Sequence, residues 1–358
     1  MERDKIASRI RPAIRLGPGI APLLGYSVLT AAMDVYTSDE AQSLSPLGLA
    51  AMAFTFTAIT FIGWDVIKRG VSAILLPWRT NLSDVIMLNA STATSWITLF
   101  YALKYLEPAI VNVAIGAIAP VMTIFLGPIL RKGSSALTTE VWASLGICGF
   151  LSVLVWSSIS GHSGVGRIGL SHAVLGITLM LIAGLATTVN VIYSKRLSDA
   201  QYSPRSILAA RFYLIVAVSW SIIAVQGNDR LGVTVLPGLV IAVLGVGVPL
   251  YLLQLGVRHT EPITSNLVCT LSPLFAFMLQ LPVQRISPSP LSFACIAGIT
   301  TLVFLGTVER VRQNKGQEVD PGRETKFTPI GKQIRQVSLG QNKHQDRSPS
   351  PSTRTKEP

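Results

Sequence analysis

The amino-acid sequence predicts an all-α membrane protein whose ten transmembrane helices form an inverted internal repeat of five plus five helices. Three observations lead to this fold class. The chain is apolar and poor in charge, ten of its segments have the length and apolarity of a bilayer span, and its two halves share short motifs in the same order. Charged residues make up 13% of the chain, against about 25% in soluble domains, so most of the chain is suited to lipid.

The predicted spans follow from a bilayer core of about 30 Å, which requires about 20 apolar residues per helix. Their residues are 17–37, 46–67, 84–103, 107–130, 139–159, 169–194, 205–226, 235–256, 261–283 and 289–308. The connecting segments 68–83, 131–138 and 195–205 are rich in Lys and Arg, and they alternate with segments that are poor in both. By the positive-inside rule, this alternation predicts that both termini are cytoplasmic.

The two tails hold sixteen of the thirty Lys and Arg residues. We therefore predict a basic cytoplasmic N-terminal tail at 1–16 and a disordered basic cytoplasmic tail at 309–358, both next to anionic lipid. The repeats occupy 17–159 and 169–308, and the loop 160–168 connects them. Because the charge is concentrated in the tails, no folded basic face remains for nucleic acid, which we exclude as a partner.

Three pairs of matching segments reveal the internal repeat. Ser-Pro steps begin a span at Ser45 and at Ser203, and small-residue segments match at 145–149 and 294–298. The third pair consists of a Glu-Pro step with a downstream Asn and Pro, namely Glu107, Pro108, Asn112 and Pro120, and then Glu261, Pro262, Asn266 and Pro273. Each half has an odd number of spans, so the second half enters the membrane from the opposite side. Secondary transporters use such inverted repeats for alternating access.

The Glu-Pro steps have two open interpretations. Proline suits the first turn of a helix, and a carboxylate there faces the positive end of the helix dipole, so the steps could serve as helix caps. Alternatively, they are gate elements, one at each membrane face. The asparagines that follow either bond across helices or face a water-filled cavity. The two downstream prolines are hinge candidates because proline permits a kink, and a static bend is the alternative.

Polar side chains within the apolar spans are the candidate residues of a substrate cavity. Besides the two repeat asparagines, they are Asn89, Thr92, Ser95, Tyr101, Asn190, Tyr193, Arg211, Tyr251 and Gln254. Among these residues, Arg211 requires the most free energy to bury in a membrane. Its role could be in substrate binding or gating, or it could snorkel to the cytoplasmic surface. The acids Asp34 and Asp65 fall near opposite span ends, so the sequence predicts no carboxylate proton relay.

Motifs for chemical catalysis are missing from the sequence. It contains no Gly-x-x-x-x-Gly-Lys-Ser/Thr phosphate loop and no His, Asp and Glu cluster with catalytic or metal-ligand spacing. We therefore expect a protein that is not an enzyme and that uses no cofactor and no metal.

The Ser-Pro starts of the second and seventh spans, the segment Tyr101–Ala109 and its twin at Glu261 resemble the EamA-type branch of the drug/metabolite transporter superfamily. The resemblance covers about residues 17–308. It implies that spans one to four and six to nine surround a cavity, with the fifth and tenth at the periphery, where a homodimer would form. The family often has Arg early in the second span, where this chain has Ala53, whereas Arg211 keeps it in the seventh.

The function that we expect is therefore secondary transport. The chain would export a small organic metabolite, amino acid or drug across the plasma membrane of the cell by alternating access. One alternative is a phosphosugar or nucleotide-sugar carrier, although such a carrier needs several cations in its cavity and this sequence offers Arg211. Another alternative is a membrane receptor or scaffold that does not transport.

Overall fold

The computed structural model describes residues 19–118, 138–166, 169–227, 230–259 and 268–319. The chain divides into a unit at 1–310 and a second unit at 311–358. Within the described residues, the regular structure is entirely helical. The first half contains α1 (Ile20–Ser43), α2 (Pro46–Arg69), α3 (Val71–Thr80), α4 (Leu82–Tyr105), α5 (Pro108–Ile118) and α6 (Thr138–Ser160).

The second half begins and ends with a 30-residue helix, and shorter helices lie between them. Its elements are α7 (Leu170–Asp199), α8 (Pro204–Ala210), α9 (Tyr213–Gln226), α10 (Leu231–Val240), a π-helical segment (Ile241–Gly247), α11 (Val248–His259), α12 (Ser272–Gln280) and α13 (Pro290–Val319). The Ser-Pro steps begin helices as expected. The hydroxyl of Ser45 accepts a hydrogen bond from Gly48 N, and that of Ser203 accepts one from Ser206 N, so both serines are N-caps before a proline.

Each of the ten predicted spans overlaps a described helix, although 119–130 of the fourth span and 261–267 of the ninth lie outside the described residues. Among the described residues, five helical stretches are long and apolar enough to cross a membrane, namely Pro46–Arg69, Trp142–Ser160, Leu170–Asp199, Pro204–Gln226 and Leu231–Leu253. Two shorter apolar helices, Pro108–Ile118 and Pro290–Gly306, lie in two further predicted spans. Both α1 and α4 have the length of a span, but they carry more polar side chains.

The structure corrects several predicted boundaries. Helix α1 continues to Ser43 instead of ending at 37, and α13 continues to Val319, eleven residues into the tail that we expected to be disordered. The predicted loop 68–83 contains a helix of its own, α3. Helix α1 continues through polar residues because neither Gly nor Pro interrupts 37–43 and because neighbouring helices satisfy the polar side chains. One example is Ser38, whose hydroxyl donates to Leu103 O at 2.6 Å.

The connecting segments of the 1–310 unit that are poor in Lys and Arg meet at one end of its helix bundle, which we call the basic-poor end. Arg230 Nη1 donates to Ser43 O at 3.2 Å, and Ser287 N donates to Gly164 O at 2.8 Å. Arg285 Nη2 donates to the Ser38 hydroxyl at 2.5 Å. Burial lowers the pKa of the Arg285 guanidinium, but arginine remains charged at neutral pH.

The segments 68–83 and 195–205 meet at the other end, which we call the basic-rich end. Arg196 forms an ion pair with Asp84 at 3.1 Å, and Tyr202 donates to Asn81 Oδ1 at 3.1 Å. Arg69 binds both Asp65 and the hydroxyl of Ser206. Among the described loops, those rich in Lys and Arg therefore lie at one end of the bundle and those poor in both lie at the other, as the charge pattern predicted.

Candidate functional site

The seventh predicted span is broken at Arg211 and Phe212. Helix α8 ends at Ala210 and α9 begins at Tyr213. The backbone angles between them are φ −100°, ψ −12° at Arg211 and φ −105°, ψ 2° at Phe212, in the sparsely populated bridge region. Such a break leaves backbone groups without helical partners, and inside a membrane other protein groups must satisfy them.

Asn89 of α4 supplies those partners. Its Nδ2 donates to Ala210 O at 2.7 Å and to Val85 O at 2.9 Å, and its Oδ1 accepts from Leu214 N at 3.3 Å. The residue is 2% exposed. Both amide N–H groups are therefore used inside the protein, and Asn89 holds the two sides of the helix break instead of facing a solute.

We expect Asn89→Ala to lower the free energy of unfolding by about 2–5 kcal/mol, because it leaves the buried C=O of Ala210 and the part-buried N–H of Leu214 without these partners. Thermal unfolding of the purified protein in detergent measures this effect. Thr98→Ala on the same helix is the matched control, since the Thr98 hydroxyl bonds only within α4, to Thr94 O and Ser95 O. Equal shifts of the unfolding midpoint in both variants would contradict the role that we assign to Asn89.

A polar cluster surrounds the side chain of Arg211. Its Nη2 donates to Asn190 Oδ1 at 2.5 Å, and its Nε lies 3.5 Å from Thr92 Oγ1. The Nδ2 of Asn190 donates to Thr92 Oγ1 at 2.6 Å and to Ser91 Oγ at 3.3 Å. We call these four residues the Arg211 cluster. The cluster joins α4, α7 and the helix break, and three of its members were predicted as cavity residues.

The charge of Arg211 is not balanced within this cluster. Its hydrogen-bond partners among the described residues are neutral, and no described carboxylate forms an ion pair with it. Arginine does not lose its proton in proteins, and buried charges are as a rule paired. The cluster therefore presents a fixed positive charge without a counter-charge among the described residues.

Asp34 and Asn112 form a second polar pair. Asn112 Nδ2 donates to Asp34 Oδ2 at 2.5 Å, and Asp34 is 8% exposed. The sequence placed Asp34 near the end of a span, but α1 ends nine residues later, at Ser43, so the carboxylate lies within the helix. Of the two roles left open for Asn112, the structure shows the bond across helices.

Glu107 lies at a junction of four elements, and it is 1% exposed. Its carboxylate accepts hydrogen bonds from Gly164 N at 2.8 Å, from the Ser292 hydroxyl at 2.9 Å and from the side-chain amide of Gln280. The N–H of Ala109 in the first turn of α5 donates to Gln280 Oε1 at 3.2 Å. Gln280 therefore bonds the start of α5, and Glu107 connects the two predicted halves at the basic-poor end.

The remaining predicted residues are not part of the Arg211 cluster. Ser95 is buried and bonds to Thr92 O, Tyr101 is partly buried, and Tyr193 lies beneath Arg196, 5.2 Å from its guanidinium. Tyr251 is 49% exposed and packs near Trp64. The side chain of Gln254 lies outside the described part of the chain, as do Pro120, Glu261, Pro262 and Asn266.

Pro273 lies next to an interruption of the ninth predicted span. Val268 and Cys269 are helical, Thr270 and Leu271 form a turn, and α12 begins at Ser272. A proline in the first turn of a helix lacks an N–H that the helix does not need. The hinge role of Pro273 stays a prediction. A second described break lies in the seventh span at Arg211 and Phe212, where the sequence has neither Gly nor Pro.

Comparison with known proteins adds a family match over part of the chain and a similar fold. Residues 174–307 match the EamA-like transporter family. No curated protein matches the sequence. One protein of known crystal structure aligns with 81% of this chain and 98% of its own, with a TM-score of 0.55 and 17% sequence identity. Similarity at that identity supports the fold alone.

Proposed function

We propose that this chain, a multi-pass membrane protein with an EamA-like transporter family domain at residues 174–307, is a secondary carrier that exports a small organic solute bearing an acidic group. The family is one of transporters and not of enzymes. A membrane location and a small-molecule substrate follow from that membership. The acidic group, the direction and the mechanism are our proposals.

The observation that carries this proposal is the unbalanced charge of Arg211 at a helix break. Transporters commonly bind their solutes at interrupted helices near the middle of the membrane. Guanidinium groups bind carboxylates and phosphates through two parallel hydrogen bonds. Nε and Nη2 of Arg211 bond to Thr92 and Asn190, while Nη1 has no hydrogen bond to any described residue. An acidic group on the solute would supply the missing counter-charge.

Alternating access requires contacts that can open at either end of the protein. Glu107 connects the predicted halves at the basic-poor end through Gln280 and Ser292. The contacts of Tyr202 with Asn81 and of Arg69 with Ser206 connect them at the basic-rich end. In our proposal one set breaks while the other holds, so the Arg211 cluster opens to one side at a time.

We extend the proposal to the topology: ten spans in an inverted repeat, both termini in the cytoplasm, and insertion in the plasma membrane. The grouping of the described loops into a basic-rich and a basic-poor end supports it, because basic loops remain cytoplasmic. Export then proceeds from the basic-rich end to the basic-poor end. A homodimer would use the outer faces of α6 and α13, where Trp142, Trp156 and Phe304 are exposed.

Transport into and out of sealed vesicles tests this function. The purified full-length protein is reconstituted without ATP into liposomes of zwitterionic and anionic phospholipid. The vesicles are loaded with radiolabelled amino acids, mono- and dicarboxylates, sugar phosphates and, for comparison, organic amines. We expect counterflow of at least one acidic solute above that in protein-free vesicles. If no acidic solute on the panel exchanges, or if only amines do, the proposed function is wrong.

Two alternatives have distinct outcomes in the same assay. A sugar-phosphate carrier would exchange only phosphorylated solutes, but the Arg211 cluster offers a single cation among the described residues, which favours a carboxylate. A receptor or scaffold would exchange nothing and would lose its cellular phenotype when the chain is cut after Val319. A carrier truncated at that point should retain its counterflow.

A further inference from the structure

We propose that Asp34, held by Asn112, is a proton-binding site that couples proton movement to solute movement. The coupling rests on the proposed carrier function, whereas the protonation of Asp34 can be tested without it. Sequence analysis predicted no such site because hydropathy placed Asp34 near a span end.

The carboxylate of Asp34 is isolated inside the helix bundle. Asp34 is 8% exposed, and its described side-chain hydrogen bond is the one from Asn112 to Oδ2 at 2.5 Å. No Lys, Arg or His among the described residues forms an ion pair with it. An ionisable residue inside a span that has no opposite charge nearby generally marks an ion or proton pathway. A neutral amide donor orients the carboxyl without neutralising it.

Several helices surround Asp34. Helix α1 packs against α4, α11, α12 and the π-helical segment, and Asn112 brings α5 alongside. The titratable groups with described side chains on those elements and on α1 are Tyr26, Tyr36, Asp39, Glu40, Asp84, Tyr101, Lys104, Tyr105 and Tyr251. The cation among these described groups is Lys104, and it forms no ion pair with Asp34. The side chains of Arg258 and His259, at the end of α11, lie outside the described residues.

Burial without a cation also disfavours the ionised form of Asp34. An ionised carboxylate loses several kcal/mol of hydration when it is buried without a cation. Ionised Asp34 therefore favours conformations in which water reaches it, and protonated Asp34 favours the closed arrangement seen here. A ligand that binds one conformation better than another shifts the balance between them. A proton on Oδ1 of Asp34 would act as such a ligand, with Asn112 remaining bonded to Oδ2.

Infrared difference spectroscopy tests the protonation directly. The carbonyl stretch of a protonated carboxyl is followed in the purified full-length protein from acidic to alkaline pH, and the spectra of D34N are subtracted to cancel the other carboxyls. We expect a reversible band that the subtraction isolates and that Asn112→Ala shifts in frequency, because Asn112 bonds to that group. If D34N does not fold, two other variants identify the Asp34 carboxyl. The carbonyl band should shift in frequency in N112A and should change in D34E.

Three results would overturn the proposal. The band could be missing at every pH, so that Asp34 is always ionised, or it could be unchanged at every pH, so that the proton is never released. The band could instead respond to sodium chloride and not to pH, which would make the site one for a metal cation.

The coupling is tested in the vesicles described above, with the acidic solute that the panel identifies. A difference of one pH unit supports at most about a tenfold accumulation when one proton exchanges per solute. We expect the wild-type protein to approach that ratio and its exchange rate to depend on pH. In D34N we expect accumulation near unity and exchange that no longer varies with pH. If D34N accumulates the solute as fully as the wild-type protein, the coupling is refuted. If the wild-type protein does not exchange any acidic solute, the carrier function is refuted. In that case the infrared measurement alone decides whether Asp34 binds a proton.

Discussion

Arg211→Met will reduce counterflow of the acidic solute by at least about thirtyfold, because the loss of one partner from a buried charge pair costs about 2 kcal/mol or more. Methionine fills a similar volume but offers no positive charge. Arg205→Met in the same predicted span is the matched control. The Arg205 guanidinium lies 4.6 Å from the centre of the Trp64 ring near the basic-rich end, away from the cluster. Its loss should change transport by less than about threefold.

Stability separates a binding role of Arg211 from a structural one. Replacing buried charged groups by apolar ones often stabilises a protein, so the R211M variant should keep or raise its unfolding midpoint while it loses transport. Arg211→Lys retains the charge but lacks the planar pair of donors, and we expect partial transport from it. If R211M transports as well as R205M does, the acidic group of the solute is not bound at this site.

Glu107→Ala will produce the largest loss of stability that we expect from a single substitution, about 3–5 kcal/mol in the free energy of unfolding. Removing the carboxylate leaves three buried donors without their acceptor, on Gly164, Gln280 and Ser292. Glu107→Gln keeps one carbonyl oxygen but introduces an NH₂ group that faces donors, so it should also destabilise the protein. The unfolding midpoint in detergent measures both effects.

The control for Glu107 is an exposed carboxylate. Asp199 pairs with Lys195 at 3.4 Å, and the Asp199 side chain is 65% exposed, so Asp199→Ala should cost at most about 1 kcal/mol. If Glu107→Ala and D199A have the same unfolding midpoint, the hydrogen bonds of Glu107 do not hold the helices together. The repeat counterpart, Glu261, lies outside the described residues.

The positions of the helices could largely be predicted from the sequence because apolar length is a local property. The Ser-Pro starts of α2 and α8 were also predictable, since a cap and a first-turn proline act within a single turn. The extension of α1 to Ser43 was not, because the polar residues near its end are satisfied by other helices. Ser38, which bonds to Leu103 O, shows this dependence on tertiary contacts.

The members of the site could be named from the sequence one by one, but their arrangement could not. Arg211, Asn190 and Thr92 were each recognisable as polar residues in apolar spans. The helix break that brings them together carries no Gly or Pro signal, and it is held by Asn89 from a segment more than a hundred residues earlier. For the same reason Asn89 was predicted to face a solute, although its amide satisfies backbone groups.

The π-helical segment Ile241–Gly247 changes how the eighth span must be read. A π-bulge inserts one extra residue into an α-helix, and one residue corresponds to a rotation of about 100°. A single helical wheel drawn across 231–259 therefore loses its phase at this segment, and the residues of α11 point to a different side from the one that the wheel assigns. Tyr251, a predicted cavity residue that is 49% exposed, lies just beyond this phase change. Substitution scans of the span should accordingly be interpreted with two wheels, one on each side of the π-helical segment.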